Sequence, residues 1–84
     1  MNPRVVSAAA LAGHVLDLRF DNGEQRRMAV QPYLDYPVFE RLRDAGFFAL
    51  VQADHGTVSW PGGIDLDPDS VYLESLAVPQ TVSV

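Results

Sequence analysis

The chain has 84 residues, enough for one domain with one small core, because two parts would each bury too little apolar surface. Hydrophobic residues make up 48% and charged residues 20%, a globular composition that excludes a disordered chain; no apolar run approaches the roughly 18 to 20 residues that cross a bilayer. The absence of cysteine excludes disulfides and thiolate chemistry, and a net charge of −5 disfavours contact with phosphate backbones.

That charge is unevenly placed. Residues 1–43 carry all six arginines against five acids, a balance of +1, whereas residues 44–84 carry six acids and no base, a balance of −6. A basic partner suits such a chain better than a nucleic acid.

Taken in order, Val5 to Leu11 is a β-branched, then alanine-rich run between Pro3 and Gly13 that fits a strand. The opening MNPRVVSAAALAG has one arginine ahead of alanines and valines, as a signal peptide would. A patterned strand follows at once where a cleavage region would lie, so a cytoplasmic protein is expected. His14 to Phe20 alternates, with Leu16, Leu18 and Phe20 on one face and Asp17 and Arg19 on the other. Asp21-Asn22-Gly23 supplies residues that tolerate positive φ, and Glu24 to Gln31 alternates again, burying Met28 and Val30 with Arg27 outward. Together these segments predict a hairpin.

Pro32 closes the second strand, and Tyr33 to Tyr36 fits a turn or a single helical turn. Pro37 suits the first position of a helix over 37–45, with Val38, Phe39 and Leu42 as its apolar stripe and Gly46 as its terminator. Phe47 to Ala53 and Thr57 to Trp60, joined by Asp54-His55-Gly56, predict a second hairpin. Pro61-Gly62-Gly63 then breaks the chain, and Asp69 to Leu76 has helical potential through Val71, Tyr72 and Leu76. The fold class expected is α+β: a small antiparallel sheet of two hairpins plus the N-terminal strand, one central helix and one short C-terminal helix. Residues 1–76 are expected to form the domain and 77–84 a flexible tail, although Thr81 to Val84 could also add to a sheet edge.

Chemistry is sought first in Asp65-x-Asp67-x-Asp69, which matches the first three ligand positions of a calcium loop. The remainder of that loop fails, with Ser70 at the sixth position, Leu76 at the twelfth and Pro68 between. A capping reading explains the same residues: Asp67 accepts the Ser70 N–H, Pro68 takes the first helical position, and Asp69 favours the positive end of the dipole. His14 and His55 lack zinc-site spacing, Asp54, His55 and Ser59 lie too close in one turn to orient one another as a triad, and no phosphate-cradling loop is present. Arg26-Arg27 and Arg41-x-Arg43 are the basic clusters; adjacent strand residues face opposite ways, and both clusters read as solvated. Trp60 fits a strand end, packed over the sheet with its indole N–H on a loop carbonyl; exposed, it would instead anchor a partner.

The pattern Pro3-x-Val5, Leu18-x-Phe20-x-x-Gly23-Glu24, Val38-Phe39-x-x-Leu42, Phe47-Phe48 and Val58-x-Trp60-x-x-Gly63-x-Asp65-Leu66-x-Pro68-x-x-x-Tyr72 resembles the bacterial domain-of-unknown-function family numbered 2442, over residues 3–73. The resemblance implies a small α+β domain, similar to the N-terminal domain of a Nitrosomonas helix-turn-helix protein. No helix-turn-helix pattern follows here, and DNA binding by that route is not expected. The resemblance also implies an arrangement like a toxin–antitoxin pair, since stand-alone members are often encoded beside a small partner; it carries over no catalytic residues.

The function expected is therefore a non-enzymatic protein-interaction module, antitoxin-like, for a small basic protein encoded beside it or for self-association. Its candidate interaction surface is Trp60, Asp65 and Asp69. Gly23, Trp60, Gly63, Asp67, Pro68 and Tyr72 form a structural signature. No cofactor, metal, membrane or direct nucleic-acid contact is expected. Two alternatives stand beside it: a metal-dependent or carboxylate enzyme using Asp65, Asp67 and Asp69 with His55, and a nucleic-acid-associated regulator.

Overall fold

The computed structural model describes residues 2–78. Alternation drives the first hairpin, as expected from the sequence. Strand β2 (Val15–Phe20) turns Leu16, Leu18 and Phe20 inward, and β3 (Gln25–Ala29) adds Met28, with Val30 just beyond it, all essentially buried. The turn between them closes through Phe20 N–H to the Glu24 carbonyl at 2.9 Å and Gly23 N–H to the Phe20 carbonyl at 3.0 Å. Gly23, at φ +88°, has a conformation that costs glycine least. Strand β1 (Val5–Leu11) pairs antiparallel with β2, from Leu11 opposite Val15 to Val5 opposite Phe20, with a bulge between Val5 and Ser7.

After β3 the chain makes a 3-10 turn over Gln31–Tyr33 and a 3-10 helix over Pro37–Arg43. With three residues per turn, positions i and i+3 eclipse, so Phe39 and Leu42 share the inner side while Val38, expected in the apolar stripe, is 64% exposed. Gly46 does not terminate this helix. Asp44 takes an extended conformation that breaks it and caps helix α1 (Ala45–Phe48), accepting the Phe47 N–H at 2.9 Å, so Gly46 lies inside a new helical turn. Phe47 and Phe48 are consequently helical, and the expected strand shortens to β4 (Gln52–Asp54).

β4 pairs with β5 (Thr57–Trp60) across His55-Gly56, both at positive φ. Pro61 to Gly63 do more than break the chain. They turn it back, so that β6 (Ile64–Asp65) pairs with Ser59 and Trp60; Gly62 at φ +91° and Gly63 at φ +78° make the turn. Helix α2 (Pro68–Glu74) follows, and β7 (Leu76–Ala77) then pairs antiparallel with β3.

The α+β class holds, but the two hairpins lie in two sheets, one of order β1-β2-β3-β7 and the other β4-β5-β6. In the first sheet β1 and β3 flank β2 and β7 takes the outer edge of β3, while the second hairpin lies against β1 without joining its ladder. Both sheets contribute to one core that runs from Val5, Leu16 and Phe20 through Leu42 and Phe48 to Trp60 and Val71. Val5 N–H donates to the Gly56 carbonyl at 3.1 Å, tying the start of β1 to the second hairpin. Leu76, expected in the C-terminal helix, is a strand residue 76% exposed, and Ala77, expected in the tail, is paired with Arg26. The possible edge strand at Thr81 to Val84 lies outside the described residues.

Candidate functional site

Asp67 accepts the Ser70 N–H at 3.0 Å and Pro68 opens α2, so the capping reading of this stretch matches the geometry. Asp67→Ala is expected to cost about 0.5–2 kcal/mol of stability, measured by denaturant unfolding, with partner binding retained. Asp69 receives the Asn2 side-chain amide at 3.2 Å, and Asp65 lies exposed on β6 opposite Ser59. The three carboxylates thus hold separate posts, and among the described residues no three His, Cys, Asp or Glu side chains come together to hold a metal ion. His55, offered with them as an enzymatic group, lies beside Asp54 at 3.5 Å with its side chain 91% exposed.

Trp60 takes the strand-end core position, and its place on the candidate interaction surface is corrected. It is 3% exposed, stacked on Phe48 at 5.9 Å between ring centroids, and its indole N–H donates to the Phe48 carbonyl at 2.9 Å. A β-strand ending on a turn directs this ring into the core, so Trp60 offers no surface to a partner, whereas Asp65 and Asp69 remain exposed.

The basic clusters are dispersed. Arg41 lies over the Phe47 ring at 4.6 Å, Arg43 donates from Nε to the Leu34 carbonyl at 2.9 Å, and Arg27 reaches Asp17 at 3.5 Å. Arg26, read as solvated, points into the molecule because it shares the face of Met28. Its side chain is only 15% exposed. The guanidinium lies over the Tyr72 ring at 4.3 Å, with Nε to Ser75 Oγ at 2.7 Å, Nη2 to the Ser75 carbonyl at 2.6 Å, and Nη1 to Glu24 Oε2 at 2.9 Å. Tyr72 completes the group by donating its hydroxyl to Glu24 Oε1 at 2.7 Å. The Tyr72, Asn22 and Arg26 hydrogen bonds hold the Glu24 carboxyl below its usual range, while Glu24 pushes the Tyr72 phenol up. This cluster joins β3 to α2 and β7.

A second tyrosine–carboxylate pair stands in an open cleft of about 280 Å³ lined by Pro32, Tyr33, Tyr36 and Glu74. Tyr33 donates its hydroxyl to Glu74 Oε1 at 2.7 Å and its ring meets Phe39 edge-on at 5.5 Å. Burial and the Glu74 contact push the Tyr33 phenol up to about 12. A raised folded value favours the protonated form, so Tyr33 stabilises the fold below its unfolded value of about 10. That contribution is lost as pH rises through about 12. A phenolate absorbance titration should show this late step. Glu74→Gln, which keeps an acceptor but removes the charge, should lower it without restoring the ordinary value, since burial persists. A wider cleft lies at His14, Gln31, Leu34, Asp35 and Arg43, where His14, at φ +58°, donates its Nε2–H to the Leu42 carbonyl at 2.8 Å.

The model of a family described as a protein of unknown function, DUF2442, matches residues 5–77, nearly the whole described chain. The chain belongs to that family. None of the curated proteins and none of the solved structures matches it significantly. No helix of this DUF2442 domain, among the described residues, is long and apolar enough to cross a membrane.

No signal in the sequence singled out Tyr33, Tyr36 and Glu74 as one place, since 41 residues separate Tyr33 from Glu74. The spacing of Arg26 from Met28 could have placed that arginine inside, had its charge not been given to solvent.

Proposed function

We propose that the domain is a non-enzymatic interaction module that binds a small basic protein, in the manner of an antitoxin-like partner encoded beside it. One observation carries this reading. Every acid of the chain that pairs with an arginine lies in the first half: Glu24 with Arg26, Asp17 with Arg27, and Asp35 with Arg43. Asp44, Asp54, Asp65, Asp67, Asp69 and Glu74 have no arginine partner among the described residues, and the sequence places no base after Arg43. A surface whose negative charge is left uncompensated steers and selects a positive partner.

Co-expression with the protein encoded next to it, followed by pull-down through a tag on this chain, tests the proposal. A stoichiometric complex that weakens with salt is expected, because partly exposed charge pairs are screened. A chain that purifies alone as a monomer at low salt would sink it.

A further inference from the structure

Among the described residues, one tyrosine–glutamate pair has an arginine beside it and a second has none. In the first, the Tyr72 hydroxyl donates to Glu24 Oε1 at 2.7 Å, and Arg26 lies over the tyrosine ring at 4.3 Å while reaching the other glutamate oxygen at 2.9 Å. In the second, the Tyr33 hydroxyl donates to Glu74 Oε1 at the same 2.7 Å, but the second Glu74 oxygen has no partner among the described residues. From this correspondence we infer that the cleft of Pro32, Tyr33, Tyr36 and Glu74 receives an arginine side chain of the basic protein partner.

The chemistry of the lining fits that occupant. With the Tyr33 proton committed to Glu74, the cleft offers a carboxylate oxygen and phenolic lone pairs, which call for a donor-rich cation. A guanidinium supplies five N–H donors in a planar fork and lies well on an aromatic face. Pro32 and the tyrosine rings give its aliphatic stem an apolar wall. No arginine of the chain lines the cleft: Arg26, Arg27 and Arg43 bond elsewhere, Arg41 lies on Phe47 and Arg4 lies against Gly56. Tyr36 is 59% exposed and Glu74 lies on the surface, so neither needs to move to be reached.

This inference rests on the reading of the domain as a binder of a basic protein, and a titration with a hexaarginine peptide separates the two. Backbone amide shifts of the isotope-labelled protein should change most at Tyr33, Tyr36 and Glu74. Glu74→Gln and Tyr36→Ala, both at accessible positions, should each weaken binding by about two- to fivefold, the size of an exposed ion pair or cation–π contact. Shift changes spread over Asp65 and Asp69, with both variants binding as the wild type does, would overturn the cleft and leave the broader reading standing. No shift change at low salt would overturn both.

Discussion

Replacing Arg26 by alanine is expected to destabilise the domain by about 3 kcal/mol, because several groups lose their partner at once. The Ser75 hydroxyl and carbonyl lose donors at 2.7 and 2.6 Å, Glu24 loses its charge partner at 2.9 Å, and the Tyr72 ring loses its cation. Ser75 is 1% exposed, so water cannot easily replace what is lost there. For a chain of this length, with a total stability of about 4–13 kcal/mol, that loss is a large fraction. Arg26→Lys should recover only part, since an ammonium on a flexible stem cannot reproduce the fork. Denaturant midpoints with an unchanged slope would measure the loss; a change below about 1 kcal/mol would show that the cluster contributes little.

Trp60→Ala is expected to cost about 3–5 kcal/mol, the range for removing a large buried aromatic and leaving a cavity. The ring touches the core that both sheets share, so its loss loosens their junction. Trp60→Phe separates packing from hydrogen bonding. It keeps an aromatic against Phe48 but removes the indole N–H from the Phe48 carbonyl, which retains the Val51 N–H at 3.2 Å, so the lost hydrogen bond costs about 0.5–1.5 kcal/mol. Thermal melts distinguish these outcomes from a partner-anchor role, in which stability would be unchanged and only binding would fall.

The first hairpin is legible in the sequence because Leu16, Leu18, Phe20, Met28 and Val30 keep a period of two around a turn of Asp21-Asn22-Gly23. The start of α2 is legible for a similar local reason: Asp67 followed by Pro68 satisfies the first helical N–H groups with its own side chain. What is hidden depends on distant partners. Gly46 reads as a stop until Asp44 is seen capping a new turn, and the division into two sheets shows only once β7 is seen on β3 and β6 on β5. Arg26 reads as solvated because its acceptors on Ser75 lie 49 residues away. The Tyr33–Glu74 cleft is hidden in the same way, while the acidity of residues 44–84 is visible in the sequence and the fold, among the described residues, gives those acids no arginine ion pair.

The central claim is that Asp65 and Asp69 serve recognition and not stability. The most direct test is the dissociation constant of the complex with the neighbouring gene's product, compared between wild type and Asp65→Asn/Asp69→Asn, with melting temperature recorded for both. The account predicts weaker binding and a nearly unchanged melting temperature. Equal affinity in the two proteins, or no complex with either, would contradict it.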